Sequence, residues 1–221
     1  IVLDDAFQHR YLAADLNILL TTYQKPFFSD YLLPMGRLRE GRKNVNRADI
    51  IVFTKCPQNL SEKDKSIYKE KTAAYLNSAK PIYFAGLKYG APYALGKGDF
   101  SLGDNIILVT GIVDPEPIRL ALENKGKRVL EILAFPDHYA YKAQDMEKIK
   151  GIYKIHSAKN VTILTTEKDA VKLKDNRLLE LIPDIPVFVL PVEVEMTRNE
   201  EEQLLNRVES LIINKNAESE I

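Results

Sequence analysis

Short apolar runs rich in valine, isoleucine and leucine recur along this 221-residue chain and alternate with amphipathic segments. This alternation is typical of parallel strands joined by crossover helices, and it predicts an α/β fold. The predicted strands are residues 1–3, 16–21, 50–53, 82–87, 106–110, 129–135, 162–165 and 187–192. The predicted helices are residues 61–76, 116–124, 143–156 and 199–213, and the first of them opens on a serine that can cap it.

The segment 88–104 contains four glycines and one proline among few large aliphatic residues, which indicates a domain boundary. We therefore predict a first lobe over residues 1–88, a linker over 89–104 and a second lobe over 105–214. The last residues, 215–221, are polar and acidic, and we predict that they are disordered.

The 31 basic and 31 acidic residues balance, so no general attraction to nucleic acid is expected and any phosphate or membrane contact must be local. A single cysteine rules out an internal disulfide and fits a cytoplasmic protein. No apolar run reaches the about 20 residues that cross a bilayer. The chain opens on Ile1, within what reads as a strand already under way, and we expect sequence upstream of it.

The first polar motif, Asp-Asp-Ala-Phe-Gln-His-Arg at residues 4–10, directly follows the apolar run 1–3. Acidic residues after a strand lie at the carboxyl edge of a sheet, where P-loop enzymes hold magnesium. The alternative is a helix cap with solvated neighbours. The three polar residues Gln8, His9 and Arg10 follow the acids in sequence and favour a functional role.

The second motif, Leu-Pro-Met-Gly-Arg-Leu-Arg-Glu-Gly at residues 33–41, combines loop-forming residues with two arginines and a glutamate. This composition suits a polyanion site, although a solvated loop would look similar. Arg-Ala-Asp at residues 47–49 then leads into the strand at 50–53, which ends in a Thr-Lys pair.

Three more motifs follow predicted strands in the second half of the chain. Thr-Gly-Ile at residues 110–112 suits a tight turn or a helix start that receives an anion. Phe-Pro-Asp-His at 135–138 places a carboxylate beside an imidazole, a pair able to handle protons, whereas His156 on an amphipathic helix is interpreted as structural. Thr-Glu-Lys-Asp at 166–169 has the composition of a capped helix start.

In this order and spacing, the motifs from Asp4 to Lys172 closely resemble the series found in tetraacyldisaccharide 4'-kinases. The resemblance implies a P-loop-kinase-like fold with two α/β/α lobes joined by a short β linker, in which residues 1–88 form the C-terminal part of the nucleotide-binding lobe. It implies an enzyme that uses ATP and Mg²⁺ to phosphorylate the 4'-hydroxyl of tetraacyldisaccharide 1-phosphate in Gram-negative lipid A synthesis.

The resemblance also assigns roles to residues of the motifs. It implies that His138, partnering an aspartate base, acts in catalysis with Asp5 and His9. It places Mg²⁺ at Asp4, Asp5 and Glu40. It places the nucleotide at Arg39, Glu40, Thr166, Glu167 and Lys168, and the last three are the least direct of these transfers.

Two departures from the family pattern stand out. Ala6 occupies the place of the usual glycine after the paired acids, a mild change. More seriously, the chain has no Gly-x-x-x-x-Gly-Lys-Ser/Thr, and the family's phosphate loop, aspartate base and membrane-associating segment all precede the position of Ile1. Positioning and charge neutralisation dominate phosphoryl transfer, so we expect no turnover from this chain alone.

The partners implied by the resemblance are an acylated disaccharide lipid and the cytoplasmic face of the inner membrane, reached through that upstream segment. Nucleic acid is not expected, and a monomer is. Two alternatives remain at the level of sequence: another P-loop NTPase or kinase acting on a small soluble substrate, and a non-catalytic nucleotide-binding domain.

Overall fold

The computed structural model describes residues 1–96, 100–137, 139–156, 160–175 and 177–218. The strands are β1 Ile18–Thr22, β2 Ile50–Cys56, β3 Ile82–Tyr89, β4 Tyr93–Ala94, β5 Asn105–Thr110, β6 Arg128–Ala134, β7 Val161–Thr166, β8 Val187–Leu190 and β9 Val192–Glu195. The α-helices are α1 Glu62–Ala73, α2 Glu116–Asn124, α3 Ala143–His156, α4 Glu167–Asp175 and α5 Arg198–Glu218, and two 3-10 helices span Arg42–Arg47 and Leu178–Leu181.

The chain divides into two compact units, Ile1–Leu87 with Val194–Ile221, and Lys88–Glu193. Each unit is built on a largely parallel sheet with helices packed on it, so the predicted α/β class is confirmed. Among the described helices, none combines the length and the apolar character that a bilayer crossing requires.

The sheet of the first unit has the strand order β1-β2-β3-β9, with β1, β2 and β3 parallel. Successive side chains of β2 point to opposite faces, as the pleat requires. Ile51 and Phe53 pack in an aromatic core with Phe84, whereas Ile50 and Val52 pack on the other face. Leu204 and Val208 of α5 cover that second face.

The sheet of the second unit has the order β4-β8-β7-β5-β6, parallel except for β4. Ile106 and Leu108 of β5 pack in the same core as residues of α2, whereas Ile107 and Val109 pack with α3 and α4. The helices that follow the neighbouring strands β5 and β7 therefore lie on opposite faces. The carboxyl ends of these two strands flank the switch point where doubly wound sheets build their sites.

The prediction of a strand at residues 1–3 is wrong. Ile1, Val2 and Leu3 lie outside any strand, with exposed fractions of 119%, 97% and 52%. An apolar run becomes a strand only where a neighbour supplies hydrogen bonds, and none of the described strands pairs with these residues.

The predicted strand 187–192 is two strands in different sheets, β8 and β9, separated by Pro191. Proline has no N–H to donate, so it interrupts a ladder. The chain then returns to the first unit, so the predicted second lobe, 105–214, extends past the boundary at Glu193. The predicted disordered tail is also misplaced at its start, because α5 continues to Glu218, and residues 219–221 lie outside the described residues.

Candidate functional site

The motif at residues 4–10 forms a compact polar turn. Asp5 has a positive φ of 49°, a conformation that aspartate tolerates better than most residues. The Gln8 side-chain amide donates to the Asp5 carbonyl at 2.6 Å, and the His9 amide donates to the Ala6 carbonyl at 2.9 Å. Asp4, Asp5 and His9 are all exposed, so their side chains are accessible to a ligand.

Arg39 joins this turn to the second motif. Its Nη1 donates to both oxygens of the Asp5 carboxylate, at 3.0 and 3.2 Å. Both side chains are more than half exposed, at 54% for Arg39 and 68% for Asp5, so the pair contributes little to stability. The structure thus brings together two predicted site residues that are far apart in the sequence.

Glu40, the neighbour of Arg39, is surrounded by nitrogen donors. Its Oε2 accepts from Arg47 Nη2 at 2.5 Å and from Asn44 Nδ2 at 2.7 Å, and Arg10 Nη2 lies 3.6 Å away. The Arg47 guanidinium also lies over the ring of Phe7, 4.4 Å from its centroid. Glu40 therefore links Arg10 of the first motif to Arg47 of the Arg-Ala-Asp motif. As a Mg²⁺ ligand it would have to exchange these contacts.

The donor chemistry of Asp4 and Asp5 fits Mg²⁺, which binds through one or two carboxylates together with substrate phosphates and water. Across the described parts of the chain, however, no three histidine, cysteine, aspartate or glutamate side chains converge as a ready metal cage. The predicted trio of Asp4, Asp5 and Glu40 is therefore not assembled as a set. The acidic pair remains as the part that fits.

In the second unit, the motifs at 110–112 and 166–169 meet at Asp169, which is fully buried. Its Oδ2 accepts from the Gly111 amide at 2.9 Å and from the hydroxyls of Thr166 and Thr110 at 2.8 and 3.2 Å. Lys172 Nζ lies 3.4 Å from Oδ1. One carboxylate thus ties the end of β5 to the end of β7.

Gly111 and Tyr141 complete this buried site. A Cβ on Gly111 would lie 3.0 Å from Asp169 Oδ1 and 3.2 Å from the Pro136 carbonyl oxygen, so the close packing requires glycine. Burial, together with the negative charge of Asp169, raises the pKa of the Tyr141 phenol far above its ordinary value. Tyr141 is therefore a neutral side chain in the lining of this site.

The remaining predicted residues of the second unit lie around this point. The Thr166 hydroxyl is buried and caps α4, accepting from the Asp169 amide at 3.3 Å, so its oxygen is already used within the protein. The Glu167 carboxylate accepts from the Val192 amide at 3.3 Å. Lys168 Nζ donates to Asp137 Oδ1 at 2.7 Å, and the two side chains are 44% and 39% exposed. His138, which follows Asp137, lies outside the described residues.

The comparison with known proteins adds a direct assignment. The family model described as Tetraacyldisaccharide-1-P 4'-kinase matches residues 1–210. The tetraacyldisaccharide 4'-kinase of Bacteroides thetaiotaomicron is 36% identical over 92% of this chain and 56% of its own length. That of Cytophaga hutchinsonii is 35% identical over 97% of this chain and 59% of its own.

Among solved structures, the apo form of LpxK from Aquifex aeolicus in complex with ATP resembles the chain with a TM-score of 0.58 and 27% identity. The similarity covers 95% of this chain and 56% of that one. The chain therefore spans a little over half the length of the relatives it matches.

Proposed function

Because the chain belongs to the tetraacyldisaccharide-1-P 4'-kinase family, we propose that the protein transfers the γ-phosphate of ATP to the 4'-hydroxyl of a tetraacyldisaccharide 1-phosphate in lipid A synthesis. A bond forms between the 4'-oxygen and the γ-phosphorus, the bond from that phosphorus to the β–γ bridging oxygen breaks, and ADP leaves. The hydroxyl proton passes to the aspartate base of the family. The observation that carries the proposal is the family match over residues 1–210.

The exposed turn at residues 4–10 of the first unit would bind the phosphates of ATP together with Mg²⁺. Asp4 and Asp5 would hold Mg²⁺, which when bound neutralises phosphate charge in this class of reaction. Arg39, held at 3.0 Å from Asp5, would exchange part of that contact for a phosphate oxygen, since a guanidinium matches phosphate as well as carboxylate. His9 would lie beside the same phosphates. Glu40 would keep Arg10 and Arg47 in place beside them.

The second unit would contribute the remaining residues. We assign His138 the positioning of the aspartate base, as its Phe-Pro-Asp-His motif implies. Lys168, half exposed and paired with Asp137 next to it, would approach the nucleotide. Thr166 and Glu167 would support that position through the hydrogen bonds that fix the start of α4.

The acceptor defines where the protein works. A tetraacylated disaccharide partitions into a bilayer, so a kinase that phosphorylates it must act at a membrane surface. We place the protein as a monomer at the cytoplasmic face of the bacterial inner membrane, where ATP is available.

The test is phosphate transfer from ATP to tetraacyldisaccharide 1-phosphate by the full-length gene product, with the 221-residue chain assayed beside it. We expect transfer by the former, and a fall in kcat/KM of about 100-fold on Arg39→Ala, the range seen when a charge-stabilising donor is removed. Because the Arg39–Asp5 pair is exposed, the variant should keep its circular dichroism spectrum and melting temperature.

Arg128→Ala is the matched control, since Arg128 is exposed on the second unit and belongs to none of the motifs. It should leave kcat/KM unchanged. ATP turnover that needs no acylated acceptor would instead indicate an NTPase acting on a small substrate. No transfer from the full-length protein would refute the proposal.

A further inference from the structure

Residues 31–35, here termed the apolar loop, place four large apolar side chains in solvent within five positions of the sequence. Tyr31, Leu32, Leu33 and Met35 are 60%, 50%, 60% and 83% exposed. Single exposed apolar residues are ordinary on protein surfaces, whereas contiguous ones mark interaction sites. The apolar loop therefore needs an explanation other than packing of the first unit.

The backbone of the apolar loop is hydrogen-bonded within itself. The Leu33 amide donates to the Leu38 carbonyl at 3.0 Å, the Leu38 amide to the Tyr31 carbonyl at 3.0 Å, and the Gly36 amide to the Leu32 carbonyl at 3.1 Å. Backbone groups without partners are costly outside water. A loop whose backbone amides are hydrogen-bonded within it can enter an apolar medium at low cost, and the large side chains of this loop are exposed.

The base of the loop is fixed by Asp30. Its carboxylate accepts from the Tyr31 amide at 2.8 Å and from Arg37 Nε at 3.1 Å, and its carbonyl accepts from Arg42 Nη2 at 2.8 Å. A Cβ on Gly36 would lie 2.2 Å from the Tyr31 carbonyl oxygen, which shows how closely the loop is folded on itself. The exposure of the apolar side chains is thus a property of an ordered structure.

Basic residues follow the apolar loop directly. Arg37, Arg39 and Lys43 are exposed, and the Arg42 guanidinium lies 5.6 Å from the centroid of the Tyr31 ring. Exposed apolar side chains next to exposed lysine and arginine suit a membrane interface, where apolar groups reach the acyl boundary and cations meet anionic headgroups. A purely apolar protein partner would gain no binding energy from these basic residues.

We propose that the apolar loop is a contact site for the surface of an anionic bilayer. Tyr31, Leu32, Leu33 and Met35 enter the boundary between headgroups and acyl chains, and the neighbouring cations contact lipid phosphates. The proposal rests on the membrane location given above. Vesicle binding is measured without ATP or the acylated acceptor, so its failure is distinguishable from a failure of the kinase proposal.

The first experiment measures co-sedimentation of the 221-residue chain with vesicles of phosphatidylcholine and phosphatidylglycerol, for the parent and for Leu33→Ser/Met35→Ser. Burying each of these two side chains in an apolar medium raises vesicle affinity about tenfold. We therefore expect the vesicle affinity of the double variant to fall about 100-fold. The control Ile155→Ser/Leu205→Ser removes two apolar side chains of similar exposure, 76% and 55%, from helices α3 and α5. It should leave vesicle affinity unchanged, and circular dichroism checks that both variants fold.

A second variant tests the contribution of the basic residues next to the apolar loop. Lys43→Gln should weaken binding to vesicles that contain phosphatidylglycerol about fivefold and leave binding to pure phosphatidylcholine unchanged. Parent-like vesicle binding by Leu33→Ser/Met35→Ser would overturn the proposal. A parent chain that does not bind vesicles would overturn it as well. Parent-like vesicle binding with a raised KM for the acylated acceptor in detergent would assign the loop to the acceptor's acyl chains instead.

Discussion

Replacing Asp169 with asparagine tests what holds the carboxyl edge of the second unit's sheet together. Asparagine has the same size, so the change removes the charge without opening a cavity. The Oδ2 atom accepts from the Gly111 amide, the Thr166 hydroxyl and the Thr110 hydroxyl, all within 3.2 Å. These donors come from the ends of both β5 and β7, so weakening their acceptor loosens two strands at once.

The size of the effect follows from the contacts of the two carboxylate oxygens. A hydrogen bond to a charged group contributes about 1.5–3 kcal/mol, against about 0.5–1.5 kcal/mol for a neutral one. The amide oxygen keeps the three bonds at reduced strength. Lys172 Nζ lies 3.4 Å from the Oδ1 of Asp169. In the variant the asparagine NH₂ takes the place of this oxygen, so the attraction between Lys172 and the carboxylate is lost and two hydrogen-bond donors face each other. We expect a loss of about 2–4 kcal/mol for Asp169→Asn.

Native-state hydrogen exchange of the amides of β5 and β7 measures this loss within the unit concerned, which matters because two compact units can unfold in separate steps. The matched control is Asp137→Asn, which alters a 39% exposed carboxylate paired with Lys168. It should cost less than about 1 kcal/mol. Losses from the two substitutions that agree within about 0.5 kcal/mol, the spread expected of ordinary surface changes, would refute the reasoning.

Three further predictions concern single contacts. Gly111→Ala should destabilise the second unit by about 1–3 kcal/mol in the same exchange experiment, because its Cβ meets Asp169 Oδ1 at 3.0 Å, whereas Gly151→Ala in α3, with open space around it, should be neutral or stabilising. Lys65 and Glu200, 3.3 Å apart and 8% and 14% exposed, should show a coupling of about 1–2 kcal/mol in a double-mutant cycle of thermal unfolding, and additive single effects would contradict this. The Tyr31 amide and the Arg37 guanidinium lower the pKa of Asp30 below 3.8. A depressed carboxyl pKa stabilises the folded state above the unfolded pKa, and this stabilisation is lost as pH falls through the folded pKa. The difference in unfolding free energy between the parent and Asp30→Asn should therefore shrink as pH falls below the unfolded carboxyl pKa of about 4.

Local periodicity was enough to locate most elements. The helices at 116–124 and 143–156 were predicted with the bounds that the structure gives, because hydrophobic spacing and proline or polar ends are properties of the segment itself. The order of the motifs likewise predicted the family, and the match over residues 1–210 confirms it. Both conclusions depend on residue spacing and motif order, which can be read directly from the sequence.

The Thr-Glu-Lys-Asp motif shows what local spacing cannot predict. Its spacing indicated a capped helix with Asp169 in the first turn, and α4 confirms this. The role of Asp169 in joining β5 to β7 depends on Gly111 and Thr110, which reach it only because those strands are neighbours in the sheet. The contact of Arg47 with Phe7 was equally beyond sequence reasoning.

Local patterns in the sequence are sufficient to predict the α/β class, most of the element positions and the family. Three features follow only from the three-dimensional fold: residues 1–3 form no strand, α5 belongs to the first unit, and Arg39 contacts Asp5. The physical reason is that helix periodicity and capping are set by residues a few positions apart. Strand pairing, the docking of a helix and a buried carboxylate's donors are set by whichever distant residues the fold brings within about 3 Å.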